Sequence, residues 1–248
     1  DRVYIDKDAY VYGMFGIEDA EDVQISGYGV ICGTVGRRCT PHCYGGMNPT
    51  PIWAMRSKKI KVYGPTVIDS ACWCVSTFDC RDVELSHIKV TGMWRYNTDG
   101  VDICNSENVY LHDSFIHSFD DTIVIKGLVE DRTKPVGDIR VERCTCWCGW
   151  GGTLETGLET WASTWKDVVF EDCRFENNNG SGIEFYGANL YVVESEGGDG
   201  RLVSSKYVHS ETPVTTLSGA NEFGQGEQDC SSCLMSDISG VGIGAAFY

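Results

Sequence analysis

Short stretches in which apolar and polar residues alternate recur along the chain. Each begins with a polar residue, followed by Val or Ile, a variable residue and another apolar one. The copies are Asp22–Ile25, Lys59–Val62, Asp82–Leu85, Asn108–Leu111, Asp138–Val141 and Asp167–Phe170. The first Val or Ile of successive copies are 37, 23, 26, 30 and 29 residues apart. Since successive side chains of a strand point to opposite faces, each copy predicts a strand with an apolar inner face.

Two further alternating segments follow within each repeat. Examples of the second are Ser114–His117 and Cys144–Trp147, and examples of the third are Gly100–Ile103 and Thr122–Ile125. Three short strands in a unit of 20 to 50 residues indicate stacked coils, because no coil can bury its apolar face alone. The sequence therefore predicts an all-β fold, a single right-handed parallel β-helix. We expect it to form one domain over residues 1–248, with irregular loops near 36–50 and 197–230.

The charge balance limits the classes of partner. The chain has 36 acidic and 20 basic residues, a formal net charge of -16. Nucleic acids and anionic membranes select clustered Lys and Arg, so neither is predicted as a partner. No apolar run is long enough to span a bilayer either. The sequence leaves the oligomeric state open.

Cysteine is frequent, with 13 residues. The odd number excludes complete pairing within one chain, and most of the cysteines lie in strand-like segments. Because Cys is a small and readily buried residue, we expect a stack of buried thiols in the core. Cys39, His42 and Cys43 lack the second ligand pair of a zinc site, so no metal and no cofactor is predicted.

Three aspartates mark the candidate site. Asp99 and Asp121 each precede the third strand of successive repeats, 22 residues apart, and Asp120 adjoins Asp121. Equivalent positions on neighbouring strands lie about 4.8 Å apart, so the three carboxylates are expected on one outer face. Crowding raises at least one carboxyl pKa, which favours acid–base chemistry or a metal site. Glycoside hydrolysis needs one protonated and one ionised carboxyl group. Aspartates at turns also act as simple caps of backbone amides, which is the structural alternative.

The motifs Asn97–Asp102 and Asp120–Lys126 resemble those of the β-helical glycoside hydrolases of family 28, the polygalacturonases, and family 49, the dextranases and isopullulanases. The similarity extends over roughly residues 8 to 186. It implies a pectin-lyase-like solenoid and an inverting enzyme that hydrolyses a polysaccharide. Such an enzyme is expected to act outside the cell or in the periplasm. It also implies that Asp120 is the general acid, and that Asp99 and Asp121 activate the water.

Two departures from the polygalacturonase pattern bear on the substrate. Gly149–Gly152 stands where that family has Gly-His-Gly, and Gly182–Tyr186 stands where it has Arg-x-Lys. A carboxylated sugar calls for cationic groups, so the replacement of Arg-x-Lys by a segment with Glu184 predicts a neutral α-linked glycan. A polygalacturonase acting on pectin is the alternative.

Seven residues are predicted to bind substrate, through aromatic stacking, hydroxyl contacts or charge: Asn97, Lys126, Trp150, Glu155, Glu159, Glu184 and Tyr186. For Trp150 a structural role, and for Glu155 and Glu159 simple exposure to solvent, are the alternatives. Lys126 is expected either to touch the substrate or to neutralise the aspartates, and a plain surface lysine is the alternative. Two rival functions share the fold: a polysaccharide lyase, which needs a Lys or Arg base and usually Ca²⁺, and a non-catalytic carbohydrate-binding β-helix.

Overall fold

In a computed structural model of the chain, the described residues are 1–35, 50–91, 95–131 and 133–175, with the backbones of five later strands. Strands β1 to β9 are Arg2–Tyr4, Tyr10–Tyr12, Phe15–Glu18, Glu21–Ser26, Val30–Cys32, Ile52–Met55, Lys58–Tyr63, Thr66–Ile68 and Val75–Phe78. Strands β10 to β17 are Arg81–Ser86, Lys89–Thr91, Val101–Cys104, Glu107–His112, Phe115–Ser118, Ile123–Gly127, Val136–Glu142 and Thr145–Cys148. Strands β18 to β25 are Gly152–Thr160, Trp165–Glu171, Arg174–Phe175, Ser181–Phe185, Tyr191–Val193, Tyr207–His209, Cys233–Ser236 and Ser239–Gly240.

The strands stack into three long parallel sheets. The first has the order β1-β4-β7-β10-β13-β16-β19-β24 and the second β2-β5-β8-β11-β14-β17-β20-β25. The third has the order β21-β18-β15-β12-β9-β6-β3, and β22 pairs with β23 separately as an antiparallel ribbon. Each coil thus adds one strand to each sheet, which confirms the predicted parallel β-helix.

Apolar ladders along the inner wall hold the coils together. Val23, Ile60, Val83, Val109, Ile139 and Val168 occupy matching register positions on successive strands of the first sheet and are buried. Two positions further along, Leu111 lies opposite Leu85 and Val141 and is fully buried. The third sheet has a matching register of its own, in which Val101 on β12 lies opposite Val75 on β9 and Ile123 on β15.

The polar residue that opens each repeat has a left-handed backbone conformation near the start of its strand. Asp22, Lys59, Asp82, Asn108, Asp138 and Asp167 all have φ between 50° and 58°. Asp and Asn tolerate this left-handed conformation better than most residues. Their recurrence at one position therefore follows from backbone geometry as well as from exposure to solvent.

Eight described cysteines are free and buried: Cys32, Cys74, Cys80, Cys104, Cys144, Cys146, Cys148 and Cys173. This agrees with the expected stack of thiols, and Cys144, Cys146 and Cys173 belong to the central core. Cys72 is disulfide-bonded. Some predicted features lie outside the described residues. They are Cys39, His42 and Cys43 and most of the loops near 36–50 and 197–230.

A second apolar cluster covers the outer face of the third sheet. It consists of Cys72, Trp73, Phe78, Cys104 and Leu128, with Trp53 and Met55 packed against it, and we call it the outer cluster. In consequence, side chains that point outward from β12 and β15 are buried rather than exposed. Separately, none of the helical segments in the part of the chain that the structure describes is long and apolar enough to cross a lipid bilayer.

Replacement of Leu111 by Ala is expected to lower the free energy of unfolding by about 2–5 kcal/mol, because it removes buried methyl groups and leaves a cavity in the ladder. Urea unfolding followed by circular dichroism measures this. Tyr4→Ala is the control, since Tyr4 is 71% exposed and its truncation should change stability little. Equal losses for the two variants would contradict the assignment of the inner ladder.

Candidate active site

The turns that precede strands β12 and β15 of the third sheet bring the three predicted aspartates together. Val101 on β12 lies opposite Ile123 on β15, and the backbone N–H of Gly100 donates to Asp121 O at 2.8 Å. Asp99 and Asp121 therefore occupy equivalent positions on neighbouring coils. One carboxylate oxygen from each of Asp99, Asp120 and Asp121 lies within 4.8 Å of the other two.

The glycine after Asp99 allows this close stacking. A Cβ at Gly100 would lie 2.3 Å from Ile116 Cγ2 and 2.4 Å from Thr122 O, both far inside van der Waals contact. Any side chain there would separate the two coils at the level of the carboxylates. The Asp-Gly step of the motif is thus required by packing as well as by chemistry.

Asp120 lies in a mostly buried position. Its side chain accepts a hydrogen bond from the backbone N–H of Asn97 at 3.0 Å, and Ser118 Oγ donates to its carbonyl oxygen at 2.7 Å. Burial, reinforced by the negative charge of Asp121, raises the pKa of Asp120 to about 6, against the opposing bond from Asn97. A carboxyl group with this pKa keeps its proton in mildly acidic solution, as a general acid must.

Asp121 is more accessible to solvent than its two neighbours. Its Oδ1 accepts a hydrogen bond from the backbone N–H of Gly152 at 2.9 Å. The preceding residue, Gly151, lies flat against the pair: a Cβ there would lie 2.5 Å from Asp121 Oδ1 and 2.6 Å from Asp120 Oδ1. The Gly-Gly sequence therefore holds both carboxylates in place without covering them.

Asp99 lies deepest and is almost completely buried. Lys126 Nζ is 3.1 Å from Asp99 Oδ2 and also 3.1 Å from Asp102 Oδ1. Burial raises the pKa of Asp99 well above its usual range, and Lys126 acts in the opposite direction. The other Asp99 oxygen, Oδ1, has no hydrogen-bond partner among the described residues.

Asp102 is the site residue that the alternation pattern did not identify. It points outward from β12, where exposure to solvent would be expected, yet it is fully buried. The signal lay in its neighbours: Cys104 and Phe78 also point outward on this sheet, and apolar residues at such positions indicate that the outer face is covered. Burial raises the pKa of Asp102 to about 7 against the influence of Lys126.

Exposed aromatic side chains border the aspartates. Tyr96 and Trp150 are 54% and 57% exposed, with ring centroids 5.7 Å apart, and Phe119 stacks on Trp150 at 6.2 Å. We call these three residues the aromatic patch. Each is a chain neighbour of Asp120 or of a residue in contact with it, since Asn97 and Gly151 follow Tyr96 and Trp150. The patch is therefore continuous with the carboxylate cluster.

The other predicted substrate-binding residues differ in position. Glu155 on β18 is buried with its carboxylate turned toward Gly152, and Glu159 lies farther along the same strand, partly exposed. The backbone of Glu184 lies opposite Glu155, but its side chain and Tyr186 are outside the described residues. The side chain of Lys126 is only 5% exposed and lies beside Asp99, so it is not a plain surface lysine, and its position suits charge neutralisation.

Comparison of the sequence with known families gives its classification. Residues 4–190 match the family model described as "Glycosyl hydrolases family 28", and the chain belongs to this family. Among curated proteins, it is 27% identical over 141 residues to "Probable rhamnogalacturonase A" of Aspergillus oryzae and 28% identical over 184 residues to a "Probable polygalacturonase" of Arabidopsis thaliana. These matches cover 57% and 72% of this chain but only 26% and 37% of those proteins.

Solved structures share the fold. A polygalacturonase from Erwinia carotovora superposes with a TM-score of 0.59 at 18% identity, over 75% of this chain and 59% of that chain. An exopolygalacturonase from Thermotoga maritima gives a TM-score of 0.58 at 19% identity, over 70% and 48% of the two chains. At these identities the comparison concerns the β-helix alone.

Proposed function

We propose that this protein is a glycoside hydrolase in which Asp120 is the general acid and Asp99 and Asp121 together form the general base. The observation that carries the proposal is the clustering of three carboxyl groups within 4.8 Å, one of which, Asp120, has its pKa raised to about 6. Hydrolysis of a glycosidic bond requires a protonated and an ionised carboxyl group at the same time. Asp120, with its raised pKa, supplies the protonated group, and the ammonium group of Lys126 beside Asp99 favours an ionised one.

The reaction follows from these roles. Asp120 transfers its proton to the glycosidic oxygen as the bond between that oxygen and the anomeric carbon breaks. Asp99 and Asp121 take a proton from a water molecule, whose oxygen forms the new bond to the anomeric carbon. Exchange of protons with solvent then returns Asp120 to its acid form and the base pair to its ionised form.

The stereochemical outcome is part of the proposal. The carboxyl groups of most inverting glycosidases are about 6.5–9.5 Å apart, with room for the water, and those of retaining enzymes are about 5–5.5 Å apart. Here the nearest carboxylate oxygens lie within 4.8 Å. Inversion is therefore supported by the family resemblance rather than by the spacing, and the configuration of the first product must be measured.

For the substrate we propose a pectin-type polysaccharide, in place of the neutral α-linked glycan predicted from the sequence. The family match and the names of both curated relatives support this choice. The earlier prediction depended on Gly182–Tyr186, whose side chains are outside the described residues. Polysaccharides of this kind occur in cell walls, so we also propose that the enzyme acts outside the cell.

Lys126 bears on the lyase alternative. A lyase needs an accessible basic group to remove a proton beside the sugar carboxylate. The amine of Lys126 is buried, bound to two carboxylates, and stacked over the ring of Trp73 at 4.2 Å. In that position it neutralises charge and does not reach a substrate, so hydrolysis is favoured over elimination.

The test is the release of reducing ends from polygalacturonate and rhamnogalacturonan, with dextran and pullulan as neutral comparisons. We expect release from a pectic polymer, and NMR of the first product should show the anomer opposite to that of the substrate linkage. Ultraviolet absorbance from an unsaturated uronate would indicate a lyase. Turnover confined to dextran or pullulan would overturn the substrate class, and binding without turnover would overturn the catalytic proposal.

Truncation of Trp150 to Ala is expected to raise KM about tenfold with little change in kcat. If a sugar face covers about 50 Å² of the indole ring, the lost contact is worth about 1.3 kcal/mol, a factor of ten in binding. Loss of binding common to ground and transition states appears in KM alone. Trp150→Phe is the matched control and should keep most of the affinity. An unchanged KM in the Ala variant would remove the aromatic patch from the substrate site.

A further inference from the structure

We propose that Lys126 and Asp102 form a positioning pair that sets the ionisation of the buried side chain of Asp99: the lysine favours the ionised form, and Asp102 limits the influence of the lysine. Neither residue touches the substrate, and both act through Asp99. The inference rests on the proposed function, since an ionised Asp99 is needed only if it activates water.

In the geometry of the pair, one ammonium group is shared by two carboxyl groups. Lys126 Nζ lies at the same distance, 3.1 Å, from one oxygen of Asp99 and one of Asp102. The three side chains are 5%, 2% and 0% exposed, respectively. The indole of Trp73 closes the opposite side, with Nζ 4.2 Å from its centroid. Exclusion of solvent strengthens the electrostatic interactions among these groups.

Burial alone would keep Asp99 protonated, because removal from water disfavours the charged form of a carboxyl group. A protonated Asp99 could not accept a proton from the attacking water. The nearby ammonium group favours the ionised form and opposes this effect. The second carboxylate, Asp102, competes for the same ammonium group and therefore weakens its action on Asp99.

Other titratable groups also face Asp99 and influence its ionisation. They come from the strands and turns packed around it: Asp120 and Asp121 before β15, Asp102 on β12, Lys126 on β15 and the thiol of Cys74 before β9. Lys126 is the one cation among the groups identified as acting on Asp99. Its removal and the removal of Asp102 are thus expected to have opposite effects.

The experiment measures kcat/KM against pH for the full chain. The acidic limb of this profile reports ionisation of the base in the free enzyme. In Lys126→Met the acidic limb should move to higher pH by about one unit or more, the usual effect of losing a neighbouring opposite charge. In Asp102→Asn it should move to lower pH. A role confined to stability would lower activity in both variants without moving the limb in opposite directions.

Two further variants keep the test decisive. Lys126→Arg retains the charge and should restore the wild-type acidic limb. Lys126→Met combined with Asp102→Asn leaves one buried anion fewer, which protects folding, and should still have its acidic limb above that of the wild type. Lys61→Met, an exposed lysine paired with Glu84 on the first sheet, is the control and should leave the profile unchanged.

A second readout does not depend on activity. Carboxyl ¹³C NMR titration of Asp99 in the same variants should show the same opposite shifts of its pKa. If the shifts occur in a protein that cleaves no glycan, the positioning pair stands and the hydrolase proposal fails. If the enzyme turns over but both single variants shift Asp99 in one direction, or not at all, the positioning pair is wrong.

Discussion

Asp120→Asn should reduce kcat by a factor of about 10² to 10⁴, the usual contribution of a general acid. The amide keeps the shape of the carboxyl group and can still accept the hydrogen bond from the backbone N–H of Asn97. It has no acidic proton to give to the leaving oxygen. Substrate binding should therefore survive, and equilibrium binding of an oligosaccharide to the variant, together with its turnover rate, separates the two effects.

The pH profile adds a specific expectation for the same residue. The wild-type enzyme should lose activity as the pH rises through about 6, because Asp120 then gives up the proton that it must donate. The Asn variant should lack this basic limb, since its amide does not titrate. A leaving group that needs no protonation, such as a nitrophenyl glycoside, should be cleaved with a much smaller loss.

A matched control is available for this variant. Asp138 is an exposed residue of β16 with φ 53°, a conformation that Asn also adopts readily, so Asp138→Asn should leave kcat unchanged. Turnover by the Asp120 variant at the wild-type rate would remove the acid role from Asp120. Loss of binding in parallel with turnover would instead indicate a disturbed site.

Gly151→Ala should lower kcat about 100-fold while the fold remains intact. The added methyl group would meet the carboxylates of Asp121 and Asp120 at 2.5 and 2.6 Å, and Asp121 N at 2.7 Å. At least one carboxylate, or the backbone itself, must move to relieve these contacts. Displacement of a reacting group by about 1 Å is enough for a loss of this size.

Gly149→Ala is the comparison for this prediction. Its Cβ would come no closer than 3.3 Å to Phe119 Cα and Ser118 O, which a small adjustment relieves. Rates within a few-fold of the wild type are expected there, and thermal unfolding should be similar for both variants. Similar rate losses in the two variants would show that the turn as a whole, rather than the contact with the aspartates, is sensitive.

The fold was predictable because the residues of the inner ladders recur in the chain as alternating apolar and polar positions. The step from Asp99 to Asp121 could be read as one coil because the strands that follow, at Val101 and Ile123, have the same apolar pattern and pair directly. The pattern also predicted the buried thiols. In the ladders of the inner wall, each apolar side chain packs against its equivalent on the next coil.

The outer face was less predictable. The burial of Asp102 and Lys126 depends on the outer cluster, and Trp73 reaches it from a segment outside the alternating strands. Packing across the outside of a sheet leaves no periodic signal, so Lys126 could not be assigned to one of its two roles. The close approach of Gly151 to the carboxylates of Asp120 and Asp121 is likewise a distance in space, and the spacing of residues along the chain does not predict it.

The line of thiols in the solenoid has a practical consequence. Burial raises the pKa of Cys74, Cys104 and Cys146 well above the ordinary value, so they hold their protons and are shielded from reagents. Alkylation requires a thiolate that a reagent can reach. The coils that hold Cys74, Cys104 and Cys146 therefore carry internal tags that react only when that part of the solenoid opens, and mass spectrometry of partly labelled protein would map the order in which these coils separate.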